Sequence, residues 1–317
     1  MEQIMKFLRR SVVLVLPALL VLALASSGMA QDDDMGITAK GAVVMDADTG
    51  KVIISRSPDY KLPPASTTKV MTAIITLEKA RLTDTFRVSR TAADTAPSKV
   101  YLRPGDQVTV EALLYAVLLK SANDGAVTLA EGIAGSEDAF ARMMTEKAHE
   151  IGALNTHFSN ASGLPADDHY TTAMDLALIL RYAMHDPRFM EIASTKFATL
   201  NMGAKEKMLL KNHNRLLWFY DGAGAGKTGY TVAARHCYVG EANCSNTRLI
   251  VAVLHSRDLW NDTRKLLDKG FQLAMAGQTL ALADSPEEIL KVNYVRHHHV
   301  VRVRRRHHRK RRNIRTY

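Results

Sequence analysis

Cysteine is scarce in this chain of 317 residues. Its two cysteines, Cys237 and Cys244, are too few for a disulfide framework of the kind that holds small secreted domains together. They flank a predicted hairpin turn at 243–247, and Cys244 lies much nearer to it, so the two are not expected to face each other across the strands. The sequence therefore predicts two free, partly buried thiols.

Metal-ligand spacing is lacking as well. The histidines of the central part of the chain do not show the separation that places two metal ligands on one helix face. We therefore predict no metal site and no cofactor. Ordinary polar packing is expected for His149, His157, His169, His185, His213, His236 and His255.

The apolar stretch near the N-terminus is too short to span a membrane. It covers 12–25, is interrupted by Pro17 and falls short of the roughly 20 residues that a membrane-spanning helix needs. Basic residues precede it, and the small residues at 28–30 offer a cleavage site. We predict that 1–30 is a secretory signal peptide and that the protein is exported to a periplasmic or other extracytoplasmic space. An uncleaved anchor helix is the alternative.

Acidic residues are missing from the C-terminal end. The segment 291–317 holds 11 of the 42 lysines and arginines and no aspartate or glutamate, so residues 1–290 carry 31 basic against 32 acidic side chains. Such a segment buries little apolar surface, and its like charges repel. We predict a linker at 277–295 and a disordered basic tail at 296–317. The tail either aids solubility or binds anionic lipid or another envelope polyanion; export makes nucleic acid an unexpected partner.

The middle of the chain has the composition of an ordinary globular domain, predicted at 31–276. Apolar periodicity predicts strands at 41–45, 51–55, 228–239 and 248–254, and helices at 69–79, 111–119, 124–134, 137–151, 173–184 and 262–275. Because strands at both ends enclose the helices, we predict an α/β (α+β) fold in which helices cover both faces of one mixed sheet.

A serine and a lysine three residues apart open the first predicted helix. In Ser66-Thr67-Thr68-Lys69 the two side chains share a helix face, so the Lys69 amine can reach the Ser66 hydroxyl. A serine hydroxyl is a weak nucleophile and needs such a base. Lys69 must be neutral to act, which requires a pKa about 3 units below its usual value. Burial and a second cation, for which Lys227 is the candidate, would lower it.

Two further clusters have a suitable context. Ser121-Ala122-Asn123 lies between two predicted helices, and Lys227-Thr228-Gly229 begins a predicted strand. Each cluster is a weak signal alone, but their order and contexts fit one known catalytic constellation. A phosphate-binding loop at 222–228 is disfavoured, because Asp221 stands where that loop needs glycine and a strand rather than a helix follows.

With these clusters the chain resembles the serine D-alanyl-D-alanine carboxypeptidases, the low-molecular-weight penicillin-binding proteins of peptidase family S11. The likeness extends over about residues 38–272 and includes Ala47-Asp48-Thr49-Gly50-Lys51, Tyr101-Leu102-Arg103-Pro104-Gly105-Asp106, Phe158-Ser159-Asn160 and Thr172-Ala173-Met174-Asp175-Leu176-Ala177. The resemblance implies a β-lactamase/penicillin-binding-protein-like fold. In that fold a mainly antiparallel sheet of N- and C-terminal strands is flanked by helices and carries an inserted all-helical region.

The resemblance also implies a reaction. Ser66 would attack the carbonyl between the last two D-alanines of a peptidoglycan stem peptide, and water would then release the acyl-enzyme. β-Lactams would acylate the same serine. Lys69 would act as the base, Ser121 would relay or orient protons, and Asn123 would hold the substrate amide and Lys69.

The third cluster has implied roles in binding. Lys227 and Thr228 would bind the terminal carboxylate, for which a cation and a hydroxyl are suitable partners. Gly229 would let the substrate backbone lie against the strand without an intervening side chain. The N–H groups of Ser66 and Tyr230 would form the oxyanion hole.

Some positions depart from the family pattern. Arg235 stands where the family usually has a glycine, which puts a local bulge in doubt, and His255 replaces a frequent glycine or asparagine. We expect the family's further β-rich domain and membrane-anchoring helix to be absent, because only 277–317 remains after the domain.

Three alternative functions stay open. A serine β-lactamase would need fast deacylation, commonly through a glutamate, and Glu146, Glu150 and Glu191 lie in range without a recognisable motif. A D,D-endopeptidase that cleaves cross-links would use the same catalytic groups. A non-catalytic peptidoglycan- or penicillin-binding protein is the third alternative, and the intact clusters argue against it.

Overall fold

Strands from the two ends of the folded segment meet in one sheet. The computed structural model describes residues 35–282, apart from Ala204 and the side chains of Lys205 and Glu206, and these residues belong to one compact unit. In chain order the strands are β1 (Gly41–Asp46), β2 (Val52–Arg56), β3 (Thr85–Arg87), β4 (Gln107–Thr109), β5 (Phe197–Met202), β6 (Lys205–Lys211), β7 (Ala223–Thr231), β8 (Arg235–Cys244), β9 (Thr247–Ser256) and β10 (Leu280–Ala281).

The main sheet has the strand order β10-β2-β1-β9-β8-β7. Its neighbouring strands are antiparallel except for β10, which runs parallel to β2. The pairs β3–β4 and β5–β6 form two small antiparallel sheets. The predicted mixed, mainly antiparallel sheet of N- and C-terminal strands is thus confirmed, and β7, which carries the third cluster, is its edge strand.

The helices lie mostly between the two groups of strands. They are α1 (Lys69–Lys79), α2 (Arg90–Asp94), α3 (Val110–Leu119), α4 (Asn123–Ala134), α5 (Glu137–Glu150), α6 (Ala173–Ala183), α7 (Pro187–Ser194), α8 (Leu216–Phe219) and α9 (Leu259–Met275). Side-chain caps fix several starts: Ser136 Oγ accepts a hydrogen bond from Ala139 N, and Thr172 Oγ1 accepts one from Asp175 N. The six predicted helices are confirmed with ends within three residues.

Alternating side chains give the central strands two apolar faces. On β1, Val43 and Met45 pack into a large core with α1, α3, α4 and α6, whereas Ala42 and Val44 pack into a smaller core with α9. Both cores consist mainly of buried aliphatic side chains with a few aromatic ones, and their removal from water stabilises the packing at roughly 25 cal/mol per Å². Helices α1 and α4, which begin at Lys69 and Asn123 in the first two clusters, pack within the large core.

The prediction of one strand at 228–239 is wrong. The chain turns at 232–234 between the antiparallel strands β7 and β8, and Ala234 N donates a hydrogen bond of 3.0 Å to Thr231 Oγ1 across this turn. A threonine hydroxyl replaces the glycine, proline or asparagine that usually marks a turn. The sequence pattern therefore gave no sign of a turn at Val232, and one continuous strand was predicted.

The prediction for the thiols is right in part. Both cysteines are free, but Cys237 is fully buried and Cys244 is exposed, so neither is partly buried. Both lie on β8, and their positions along this strand explain the difference in burial. Cys237 is in the middle of the sheet opposite Gly229, and Cys244 is at the end of the strand beside the β8–β9 turn.

The structure has a bulge near Arg235, but it lies on the neighbouring strand β9, and Arg235 itself pairs with Thr231 in regular register. The register of β8 against β9 shifts between the pairs His236–Ser256 and Tyr238–Val253. His255 lies within this shift with a φ of 57°, and Arg235, just after the turn at 232–234, has a φ of 56°; both values are in the left-handed region that favours glycine. The backbone conformation is thus kept although neither residue is a glycine.

Several predictions lie outside the described residues, namely the signal peptide at 1–30, the basic tail at 296–317 and most of the linker. Strand β10 falls within the segment assigned to the linker, and Leu282 N donates a hydrogen bond of 2.7 Å to Ser55 O, so the sheet includes residues beyond 276. Among the residues that the structure describes, no helix is long and apolar enough to cross a membrane.

Candidate active site

Ser66 lies in a short 3₁₀ helix, Ala65–Thr68, that leads directly into α1. Lys69 is the first residue of α1, and its Nζ is 3.1 Å from Ser66 Oγ. The three-residue spacing therefore brings the two side chains together, as the sequence predicted. Ala65, just before the serine, has a φ of 48°, which turns the chain sharply at the nucleophile.

Lys69 is completely buried. Its Nζ donates hydrogen bonds to Asn123 Oδ1 at 2.7 Å and to the Ser162 carbonyl oxygen. Burial lowers the pKa of Lys69 well below its usual value, and the positive charge of Lys227 lowers it further. A neutral amine can donate to both of these oxygens and still accept the proton of the Ser66 hydroxyl on its lone pair.

The second cluster faces the third. Ser121 lies between α3 and α4 with a φ of 60°, and its Oγ accepts a hydrogen bond of 3.1 Å from Lys227 Nζ. Lys227 Nζ also donates to Thr228 O at 2.8 Å. Burial lowers the pKa of Lys227 to about 7, so this lysine is close to its titration midpoint at neutral pH. Helix α4 begins at Asn123, whose Nδ2 donates to Ala96 O at 2.8 Å and so fixes the amide that contacts Lys69.

Strand β7 places the remaining predicted residues beside the nucleophile. Because β7 is an edge strand, alternate backbone N–H and C=O groups along one side of it have no partner strand in the sheet. The absent side chain of Gly229 faces Ser66: a Cβ there would be 2.8 Å from Ser66 N and 3.0 Å from Pro64 O. The glycine thus lets β7 approach the nucleophile's own turn, a reason different from the predicted contact with substrate. Tyr230, 54% exposed, packs against His236 with the ring centroids 4.6 Å apart and the rings tilted by 38°.

A cleft of about 320 Å³ opens at these groups. Its lining includes Ser66, Ser121, Asn123, Thr228, Gly229 and Tyr230, so the structure brings these six predicted residues to one cavity, while Lys69 and Lys227 lie buried beneath it. No aspartate or glutamate of the described chain lines this cleft. Within the same described ranges, no group of three or more histidine, cysteine, aspartate or glutamate side chains could hold a metal ion.

The glutamates considered for a β-lactamase reaction are placed elsewhere. Glu150 is on α5 in an ion pair of 2.8 Å with Lys147, and Glu191 lines a separate cavity beside Glu241.

Sequence reasoning missed the loop that completes the lysine site. The Ser162 carbonyl, which accepts from Lys69, belongs to a loop that Asn160 organises: its Oδ1 accepts hydrogen bonds from the N–H groups of Ser162, Gly163 and Leu164 at 2.7–3.2 Å. A backbone carbonyl leaves no residue-type signal in a sequence. Asn160, within the run Phe158-Ser159-Asn160, was the available indication.

The family model for D-alanyl-D-alanine carboxypeptidase, peptidase S11, matches residues 27–258, most of the chain. The chain belongs to this family. Its three clusters bring together Ser66, the buried Lys69 and Lys227, and strand β7 in the arrangement described above.

Relatives within the peptidase S11 family are similar over the same part of the chain. The D-alanyl-D-alanine carboxypeptidase DacF of Bacillus subtilis is 34% identical over 78% of this chain and 66% of its own length, so the chain spans just under two thirds of that relative. DacB2 of Mycobacterium tuberculosis is 36% identical over 73% of this chain and 81% of the relative. The crystal structure of the Streptomyces K15 DD-transpeptidase has a TM-score of 0.71 at 31% identity, over 75% and 98% of the two chains.

Proposed function

We propose that the chain is an exported serine D,D-carboxypeptidase that removes the terminal D-alanine from peptidoglycan stem peptides through an acyl-enzyme on Ser66. The observation that carries this proposal is the buried Lys69 amine, which has a lowered pKa and lies 3.1 Å from Ser66 Oγ. A neutral amine at that distance is a suitable general base for a serine hydroxyl. The similarity to the D-alanyl-D-alanine carboxypeptidases DacF and DacB2 supports the same reaction.

Acylation follows from the contacts around Ser66. Its Oγ forms a bond to the carbonyl carbon of the penultimate D-alanine while its proton passes to Lys69 Nζ. The oxyanion that develops would accept hydrogen bonds from the N–H groups of Ser66 and Tyr230. When the C–N bond breaks, the leaving amine takes up a proton from Lys69, either directly or through Ser121. Water then attacks the ester carbonyl, Lys69 accepts its proton, and Ser66 Oγ leaves with a proton.

The other contacts suit the C-terminal end of the substrate. Lys227 in its charged form and the Thr228 hydroxyl are partners for a terminal carboxylate, and Lys227 lies 3.1 Å from the Ser121 hydroxyl. Asn123 is fixed by Lys69 and Ala96 and can present its amide to the substrate backbone. β-Lactams resemble the dipeptide substrate and would acylate the same serine.

A serine β-lactamase is the less suitable alternative. That reaction needs a group that activates water quickly on the acyl-enzyme, commonly a glutamate. The cleft wall of the described chain carries no carboxylate, so the penicilloyl-enzyme should persist. Export through the signal peptide at 1–30 and binding of anionic lipid by the tail at 296–317 remain parts of the proposal that rest on the sequence alone.

Labelling with a fluorescent penicillin tests the proposal. We expect the wild-type protein to carry a slowly released label and Ser66→Ala to carry none. Equal labelling of both proteins, or rapid release from wild type, would contradict it. Digestion of purified muropeptides followed by mass analysis then identifies the reaction: a carboxypeptidase removes one alanine from pentapeptides, whereas an endopeptidase splits dimers.

A further inference from the structure

His169 is a buried histidine that touches neither Ser66 nor the cleft. It is 4% exposed, and its Nδ1 accepts a hydrogen bond of 3.1 Å from the backbone N–H of Ser159. An acceptor at Nδ1 requires that the proton of the neutral ring sit on Nε2. Burial, followed by the nearby charges of His157 and Lys69, lowers the pKa of His169 to about 4, so the ring is neutral at physiological pH.

The protonated Nε2 faces the hydroxyl of Thr68. The two atoms are 2.8 Å apart, so His169 donates and Thr68 Oγ1 accepts. The hydroxyl then uses its own proton to donate to Ala65 O, also at 2.8 Å. One directed chain of hydrogen bonds therefore runs from Ser159 N–H through His169 and Thr68 to the carbonyl of Ala65.

The Ala65 carbonyl belongs to the same peptide group as the N–H of Ser66. A peptide group is planar, so a partner that fixes the direction of its oxygen also fixes the direction of its N–H. Hydrogen bonding to the oxygen also polarises the group and makes the N–H a better donor, because chains of hydrogen bonds strengthen one another. This series of hydrogen bonds thus ends on the peptide group whose N–H, that of Ser66, the proposed function assigns to the oxyanion hole.

The peptide group needs such support. Ala65 has a φ of 48°, which L residues rarely adopt and which persists only where surrounding contacts hold it. Gly163 lies so close that a Cβ on it would overlap Ala65 O, and Gly229 approaches Ser66 N from the other side. The 3₁₀ turn is thus enclosed by the loop of Ser159 to Leu164 and by β7.

We propose that His169 and Thr68 are positioning residues that orient and polarise the N–H of Ser66, and so strengthen the oxyanion hole without touching the substrate. The inference rests on the proposed function. Because an oxyanion forms only in the transition state, the loss of this chain should slow acylation while leaving the initial binding of the ligand nearly unchanged.

The simpler role for these bonds is to stabilise the turn. The protein offers a control, since Thr67 makes the same kind of bond one residue earlier. Its Oγ1 donates to Pro64 O at 2.7 Å, and the side chain is equally buried. The Pro64 carbonyl shares its peptide group with the N–H of Ala65, not with that of Ser66. Thr67→Val and Thr68→Val each remove a hydroxyl that donates to a carbonyl of the turn. Only Thr68→Val also removes the acceptor of His169 Nε2–H and affects the oxyanion-hole donor.

The experiment measures the initial dissociation constant and the acylation rate constant with a chromogenic β-lactam. Removal of one oxyanion-hole donor outright costs about 100- to 1,000-fold, so loss of its support should cost about 10- to 100-fold. We expect that decrease in Thr68→Val and in His169→Phe, with binding changed by less than about 3-fold. Thr68→Ser, which keeps the hydroxyl, should retain the wild-type rate. The double variant, Thr68→Val with His169→Phe, should be no slower than either single one, because both substitutions interrupt the same series of hydrogen bonds.

Thermal unfolding of Thr67→Val and Thr68→Val shows whether the two lose similar stability. The inference is overturned if Thr67→Val acylates as slowly as Thr68→Val, or if Thr68→Val acylates at the wild-type rate. It is supported if the two are equally destabilised and only Thr68→Val is slow. Failure of the wild-type protein to acylate at Ser66 would instead contradict the proposed function, so the two failures are distinct.

Discussion

Lys227 donates a hydrogen bond to Ser121 Oγ at 3.1 Å, the same distance that separates Lys69 Nζ from Ser66 Oγ. The site therefore holds two pairs of a buried lysine and a serine, and burial lowers the pKa of both lysines. A carboxylate at Lys227 would favour its charged form. The positive charge of Lys227 lowers the pKa of Lys69, so the protonation states of the two lysines are coupled.

The pH dependence of kcat/KM should reveal Lys227. In the free protein its pKa is about 7, so the charged form that binds a carboxylate is lost as the pH rises through that value. We expect kcat/KM for a D-Ala-D-Ala peptide to fall on the alkaline side of about pH 7. In Lys227→Arg, whose side chain stays charged, this fall should vanish. Profiles measured from pH 5 to 10 check this, and an unchanged alkaline fall in the arginine variant would assign it to another group.

Replacement of Lys227 by methionine should stabilise the fold while abolishing activity. Below about pH 7 the lysine is charged in both the folded and the unfolded chain, and the folded chain bears the full cost of burying the charge. We expect Lys227→Met to raise the free energy of unfolding by about 1–3 kcal/mol at pH 6.

The difference in stability between the wild-type protein and Lys227→Met should also depend on pH. Between the folded pKa of about 7 and the unfolded value of 10.5 the folded chain holds Lys227 neutral, so the advantage of Lys227→Met should shrink as the pH rises across that window. Urea unfolding at pH 6 and pH 9.5 measures both differences. A constant difference between the two pH values would contradict the lowered pKa.

Gly229→Ala should disturb the nucleophile directly. The added Cβ would lie 2.8 Å from Ser66 N and 3.0 Å from Ala65 Cβ, so either β7 or the 3₁₀ turn must move. Because small displacements of reacting groups are costly, we expect acylation by a β-lactam to slow by about 100-fold or more. Gly41→Ala is the matched control. Gly41 lies in the same sheet, and a Cβ there would be no nearer than 3.5 Å to any neighbouring atom. Normal acylation in Gly229→Ala would show that the turn adapts.

The sequence predicted the parts of the site that depend on local spacing. Ser66 and Lys69 meet because three residues in a helical turn bring side chains to one face, and the helices around Ser121 follow from apolar periodicity. The Ser162 carbonyl could not be predicted in the same way. It is a backbone group that a loop presents, and Asn160 holds this loop through contacts that no periodic pattern encodes.

A strand boundary was not predicted where a side-chain hydrogen bond, rather than a glycine or proline, stabilises the turn. The turn at 232–234 contains neither glycine nor proline and is closed by the Thr231 hydroxyl, so the strand was predicted to continue. Arg235 shows how a backbone conformation can persist without the usual residue. It follows the turn at 232–234 and pairs with Thr231 of β7, and its φ of 56° is one that glycine adopts more readily than arginine.

Arg235→Gly should therefore stabilise the protein. Arg235 is exposed and has a φ of 56°, a conformation that costs an L residue roughly 1–2 kcal/mol and glycine almost nothing. Glycine also loses more backbone entropy on folding, so we expect a net gain of about 1 kcal/mol in the free energy of unfolding. Arg235→Ala separates backbone strain from loss of the side chain, because alanine keeps the strain and should give no gain. Urea unfolding of both variants measures the difference; equal stability of the glycine and alanine variants would mean that the backbone strain at Arg235 is negligible.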